Sequence, residues 1–466
     1  MNYLLPVKIV QSENIENGCS VLKKKALQIG LGEKDCLIVK GKGFIGFDFG
    51  KETCGGIRIL TSWAESGSAK IRLRFGESLA EAYSDIGYKN STNDHSPRDF
   101  ECDICSLSDL TFGQTGFRFV RIDFIEAKQV KIKAVAAEEK ILNIKPRYSY
   151  KGEDETIRRI FDAAKRTIDL CAGGEYLWDG IKRDRLVWIG DIYPEMLALT
   201  TLYGRTEIIE KSLDFIKDAT VLPAFMNDMP TYSMWWIIVL HDYYQITGCK
   251  DFLDKQIGYL EKLIKILNLN VGENGELNYD IFVDWPTRGD KDETTGTRCI
   301  NLAAAEKARA ILKAYGKDTK YACEMIVKLK KGSFAIDSKK QVIGLKYYAF
   351  GEISEKEYDL LVKGGAAGLS TFMSYFILTA IAAKDKKLAV RIMKDYYGKM
   401  LELGATTFWE DFDIAWAQNA GGIDEFPVKG KVDIHGDFGA FCYKGYRHSF
   451  CHGWSSGVIK FIKENC

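Results

Sequence analysis

Residues 155–173, ETIRRIFDAAKRTIDLCAG, decide the fold. Their apolar positions, Ile157, Ile160, Phe161, Ala164 and Ile168, recur every three to four residues, the period of a helix with one buried face. The chain before Asp154 has a different texture. Up to about residue 148, short runs such as CLIVK, FIGFDFG, GIRILTSW, KIRLRFG, FRFVRIDFI and VKIKAVAAE alternate apolar with polar residues between glycine-containing turns, which is the period of strands. After it the helical texture repeats in YPEMLALTTLYG, RTEIIEKSLDFIKDA, SMWWIIVLHDYYQITG, DFLDKQIGYLEKLIKILN, NLAAAEKARAILKAYG, LSTFMSYFILTAIAAK and KLAVRIMKDYYGKMLELG. This predicts a mixed architecture: a β-sandwich over residues 1–148, then an all-α unit over 149–466 with roughly ten to twelve helices. No 34-residue or similar period recurs, so a closed double ring of helices is preferred to an open solenoid.

Composition agrees with two folded domains. At 466 residues the chain exceeds one ordinary domain. Its 65 basic and 64 acidic residues cancel, which removes the positive field that nucleic-acid or anionic-membrane binding needs and leaves a neutral small molecule or glycan as the expected partner. The opening MNYLLPVKIVQSENIENG lacks the charged and apolar regions of an export signal, and no run of about 18 apolar residues occurs; a cytoplasmic protein is expected. In that compartment the twelve cysteines read as buried small hydrophobes or free thiols. The one CxxC, Cys102 and Cys105, has no second pair to complete a zinc site. Gly41, Gly43 and Gly46 form a GxGxxG, but a strand follows instead of a helix, so no dinucleotide unit is built and no cofactor is expected. The oligomeric state is left open.

Two stretches concentrate carboxylates and tryptophans. In 175-EYLWDGIKRDRLVWIGDIYPE-195, Asp179, Asp184 and Asp191 stand beside Arg183, Arg185, Trp178 and Trp188. A solvated helix face leaves the tryptophans unexplained, and a core leaves the charges desolvated. A polar cleft floored by rings accounts for both, since indole faces stack on sugar rings while carboxylates and guanidinium groups bond the hydroxyls. The second stretch, 404-GATTFWEDFDIAW-416 followed by 433-DIHGDFGAFCYKGYRHSFCHGWSSG-457, supplies Trp409, Glu410, Asp411, Asp413 and Trp416, then His435, His448, His452 and Trp454. His448 and His452 sit four apart but lack the glutamate of HExxH, so no metal site is expected. In 282-FVDWPTRGD-290, Asp284, Trp285 and Arg288 resemble a further sugar-contacting loop, with a structural turn equally open.

The run from Asp179 to Asp191, DGIKRDRLVWIGD, resembles the signature of glycoside hydrolase family 78, the α-L-rhamnosidases. GATTFWE ending at Glu410 is similar to that family's second motif, and HGWSSG from His452 to its third; FDFG at Asp48 and RLRFGESLAEA around Glu77 resemble its accessory sandwich. The resemblance implies an N-terminal β-sandwich followed by an (α/α)6 barrel, with metal-independent hydrolysis by inversion. It implies Asp184 as general acid and Glu410 as general base. Asp179, Arg183, Trp188, Asp191, Trp285, Trp409, His452 and Trp454 are then the substrate-binding set. The acid position usually carries glutamate, and Asp184 reaches about one bond less far. With Asp179 and Asp191 near the acid, its proton is expected to be retained, while Glu410 is expected to titrate lower. Another (α/α)6 glycosidase, a lyase, or a glycan binder without catalysis are the alternatives.

Overall fold

The computed structural model describes residues 2–466. Seven strands form the N-terminal part: β1 (Asn2–Leu4), β2 (Lys8–Glu16), β3 (Leu37–Ala64), β4 (Ser68–Gly76), β5 (Asp99–Cys105), β6 (Ser108–Glu126) and β7 (Gln129–Glu139). All pair antiparallel in one network, in the order β1-β7-β3-β6-β4-β5, with β2 also on β3. The long strand β3 folds over, so β7 is flanked by both its ends: Val130 faces Val39 on one side and Ala64 on the other. The alternation seen in sequence becomes one apolar core containing Val39, Ile45, Phe47, Ile57, Ile59, Ile71, Leu73, Phe117, Ile122 and Ile132. Gly55 permits the fold-over; at φ 156° a Cβ there would stand 1.8 Å from the Glu138 carbonyl oxygen.

The helices begin where the period changes. Asp154 caps the first by accepting from the Ile157 amide at 3.1 Å. Twelve helices of eight or more residues follow among the described residues: α1 (Glu155–Cys171), α2 (Ile192–Tyr203), α3 (Glu207–Ala219), α4 (Pro230–Thr247), α5 (Ile257–Leu269), α6 (Glu293–Ala314), α7 (Lys320–Leu329), α8 (Lys340–Phe350), α9 (Glu355–Val362), α10 (Ser374–Ala382), α11 (Lys386–Glu402) and α12 (Val458–Asn465). Even-numbered helices pack on one another in sequence, α2 on α4, α4 on α6, α6 on α8, α8 on α10 and α10 on α12, and α12 returns to α2. Odd-numbered helices pack outside them, α1 on α11 and α5 on α7. Composition explains the division: every residue of α2 is buried, whereas α1 buries one face and shows Arg158, Arg159 and Asp162 to solvent.

Connection lengths place the site. Links from even to odd helices are short, such as 204–206, 351–354 and 383–385, while those entering even helices are long: 172–191, 220–229, 270–292, 330–339, 363–373 and 403–457. Alternation of direction puts all the long connections at one end. The sheet braces that end, with the Arg118 guanidinium donating to the Gly404 carbonyl at 3.0 Å and the Leu79 amide to the Ile423 carbonyl at 2.8 Å. All twelve cysteines are free thiols; Cys102 lies in the middle of strand β5 and Cys105 ends it. No helix among the described residues is long and apolar enough to cross a membrane.

Candidate active site

The connection between α1 and α2 and the segment before α12 are stitched together first by backbone. Gly180 pairs with His452 in an isolated antiparallel bridge, and the Gly453 amide donates to the Asp179 carbonyl at 2.6 Å. Asp179 fixes its own loop by accepting from the Leu186 amide at 2.9 Å. Between them Asp184 and Arg185 both adopt φ 55°, a region that costs a residue with a Cβ about 1–2 kcal/mol. The β-domain holds them there. His95 Nδ1 lies 2.7 Å from the Asp184 amide and 2.6 Å from its Oδ1, and Arg185 donates to the His95 carbonyl at 2.8 Å.

Arg183 joins the two carboxylates from opposite ends of the helical domain. One arm of its guanidinium donates to Asp184 Oδ2 at 3.0 Å, the other donates to Glu410 Oε1, and Nε donates to the Arg447 carbonyl at 3.1 Å. The Ser449 amide donates to Glu410 Oε2 at 3.2 Å, and the Trp454 indole N–H to the Glu410 carbonyl at 2.8 Å. The result is a cavity of about 230 Å³, the space of one sugar ring, lined by nine of the ten residues expected from sequence: Asp179, Arg183, Asp184, Trp188, Asp191, Trp285, Glu410, His452 and Trp454. Trp409 does not line it. Its ring is buried and stacked on Phe450 at 4.2 Å, because in the extended segment before Glu410 neighbouring side chains point to opposite sides. Met229, Tyr232, Phe282, Cys442 and Arg447 complete the lining and His95 braces it. Arg447 and Cys442 lay within the second polar stretch; Tyr232 and Met229 carried no local signal, since they open the apolar helix α4.

Burial sets the electrostatics. Asp179 and Asp191 are pushed well above the ordinary carboxyl range, first by burial and then by neighbouring carboxylates, with Tyr232 donating to Asp191 Oδ1 at 3.2 Å in partial compensation. Glu410 is also raised, burial outweighing Arg183; this departs from the expectation that it titrates low, which took no account of a fully enclosed side chain. His452 is held well below its usual value by burial and by Arg183, so it is a neutral imidazole, 3.7 Å from Glu410 Oε1 and 3.8 Å from Asp179 Oδ2, with its buried Nδ1 unpartnered.

Beneath the cavity, Glu195 of α2 is buried with neither carboxyl oxygen bonded, and its value is raised well above that of a free glutamate, chiefly by burial. A carboxyl raised in the folded state takes up a proton on folding, so stability falls as pH climbs from the unfolded value near 4.3 toward the folded one, by at most about 1.4 kcal/mol per pH unit. Glu195→Gln is therefore expected to raise the melting temperature at neutral pH and to flatten its decline above about pH 4.5, readable in thermal melts across that range. An unchanged slope would show that Glu195 is not the group responsible.

Residues 148–324 match the model of the bacterial alpha-L-rhamnosidase six-hairpin glycosidase domain. That stretch is similar to a rhamnosidase-type six-hairpin domain. Its fold is similar to three solved structures. A family 78 rhamnosidase of Bacillus sp. GL1 aligns at TM-score 0.73 and 18% identity over 95% of this chain and 48% of the other. A rhamnosidase from Klebsiella oxytoca with rhamnose bound aligns at 0.74 and 17% over 99% and 95%. An alpha-L-rhamnosidase from Dictyoglumus thermophilum aligns at 0.71 and 15% over 100% and 51%. The chain thus spans about half the length of the Bacillus and Dictyoglumus proteins and nearly all of the Klebsiella one. No curated protein matches it significantly in sequence.

One group of side chains has the spacing of metal ligands among the described residues: Glu77, Glu81 and His435. The chain supplies its own cation there. The Lys182 ammonium lies 2.8 Å from Glu81 Oε1, 3.4 Å from Glu77 Oε2 and 3.5 Å from His435 Nε2, and donates to the His448 carbonyl at 2.8 Å. Glu77 in turn accepts from the Phe450 amide at 2.6 Å, so this cluster fixes the segment that presents Ser449 to Glu410.

Proposed function

We propose that the protein is an inverting glycoside hydrolase that removes terminal α-L-rhamnose, or a closely related sugar, from oligosaccharides or glycosides. One observation carries the reading: Arg183 holds Asp184 and Glu410 on its two arms inside a pocket walled by tryptophans. Acceptors on the two arms of one guanidinium stand at most about 8 Å apart, a bound that admits an inverting pair at about 6.5–9.5 Å and a retaining one at about 5–5.5 Å, so the configuration of the product decides between them. In this reading the helices form an (α/α)6 barrel, supported by the succession of even-numbered helices that returns to its start, and residues 1–148 are the accessory sandwich. Asp184, the more exposed of the two, protonates the leaving oxygen. Glu410 takes a proton from water on the other face of the ring, no metal taking part. Asp179, Asp191, His452 and Arg183 bond the sugar hydroxyls, while Trp188, Trp285 and Trp454 pack on its apolar faces. The free thiols suit the reducing cytoplasm.

Hydrolysis of p-nitrophenyl α-L-rhamnoside, with NMR of the first-formed sugar, tests the proposal: product of inverted anomeric configuration is expected, and retained configuration refutes the roles. Asp184→Asn should slow a rhamnoside with a poor, alkyl leaving group by about 100-fold or more, yet an activated aryl rhamnoside much less, because the latter hardly needs protonation. Equal losses on both would remove Asp184 from the acid role.

A further inference from the structure

Behind one wall of the pocket lies a second, larger cleft of about 700 Å³. The two share that wall residue by residue. Trp285, Glu410 and Cys442 face the pocket, while Pro286, Asp411, Phe441 and Tyr443 face the cleft. Phe441 is largely exposed and its ring lies 5.2 Å from that of Trp285, which puts the aromatic edge of the cleft against the pocket's own aromatic wall.

Three lysines line the cleft, and their charges are unequally matched. Lys339 donates to the Pro286 carbonyl at 2.8 Å and stands 3.7 Å from Asp290. Lys340, at the start of α8, is 7% exposed; its ammonium donates to the Gly365 carbonyl at 2.7 Å and forms no ion pair among the described residues. Burial alone pushes it down to about 8. Lys363 is exposed and likewise forms no ion pair among the described residues. The acids offer little balance. Asp290 serves Lys339, Asp413 accepts from the Ala415 amide at 2.9 Å, and Asp411 is raised to about 7 by burial and neighbouring carboxylates, so it is partly protonated at neutral pH. A buried ammonium has three donors and is costly without a counter-charge. Its surroundings here, the rings of Trp416 and Phe441 and a carboxyl able to donate, are those of a sugar site and not of a bare-ion site.

We propose that this cleft binds a carboxylate-bearing sugar, a uronic acid unit of a glycan, with its carboxylate at Lys340 and Lys363 and its ring against the aromatic edge. The substrate part of this inference rests on the glycosidase reading above; the binding part does not. Titration of the full chain with methyl α-D-galacturonate, methyl α-D-galactoside and sodium sulfate, followed by calorimetry or NMR, separates them. The uronate is expected to bind at least about tenfold more tightly than the uncharged galactoside and than sulfate, the worth of one hydrogen bond to a charged group. Lys340→Gln should remove that preference. Lys363→Gln, on the surface and harmless to folding, should weaken uronate binding in the same direction. Equal affinity for uronate and galactoside, sulfate binding as tightly as the uronate, or unaltered uronate affinity in both variants would overturn the proposal. Hydrolysis of an aryl rhamnoside by the wild-type chain reports independently on the glycosidase reading, so failure of one is distinguishable from failure of the other.

Discussion

Glu410→Gln is expected to lower rhamnoside hydrolysis by about 10²–10⁴-fold on activated and unactivated leaving groups alike, the usual worth of a positioned proton acceptor. The amide keeps the shape of the side chain and retains one acceptor oxygen, so it can still accept from Arg183 or from the Ser449 amide, which now bond Oε1 and Oε2 of the carboxylate respectively. It cannot take a proton from water. Binding of rhamnose should therefore survive, measured by calorimetry on the variant, while turnover is lost. This also separates an enzyme from a glycan binder on the same fold: a chain whose wild-type form binds rhamnose without hydrolysing it, and whose variant behaves identically, has no base at this position. Azide should not restore activity through a product of retained configuration, since the inverting reading contains no glycosyl-enzyme.

The second large effect is structural. Lys182→Met should destabilise the protein by about 3–5 kcal/mol, the cost of removing one partner from a buried ionic group, seen as a lower urea midpoint. Lys182 is the cation between Glu77 and Glu81, both fully enclosed, and these contacts join the two domains beneath the pocket while its further bond to the His448 carbonyl holds it within the helical one. Glu77 is already raised to about 7, mainly by burial and with Lys182 opposing; without the ammonium it moves higher still. A carboxyl raised on folding binds its proton more tightly in the folded state, so the deficit of the variant should be greatest above neutral pH and shrink toward acid pH as both glutamates protonate. A deficit that did not vary with pH would point to lost packing of the lysine stem instead of uncompensated charge.

These two residues mark how differently the chain disclosed its parts. Glu410 stands beside Trp409 in a stretch whose mixture of charge and aromatic rings is hard to place in either core or solvent, and that contradiction is visible in one dimension. The same holds for Asp179, Asp184 and Asp191, all of which line the pocket. Lys182 lies in the first stretch too, yet nothing local distinguishes it from the arginines beside it. Its partners are about one hundred residues upstream in the β-domain and more than two hundred and fifty downstream.

By itself the sequence determined the change from strand to helix near residue 150, because side-chain periodicity is a local property of backbone geometry, and it determined which stretches hold carboxylates that need a cleft. The tertiary structure alone decided the rest. It joined α12 to α2, so that connections far apart in sequence meet at one end. It turned Trp409 into the core and brought in Tyr232 from an apolar helix. It also raised Glu410 against expectation, because a side chain's charge state depends on how much water surrounds it, and that is fixed by everything folded around it and not by its neighbours in the chain.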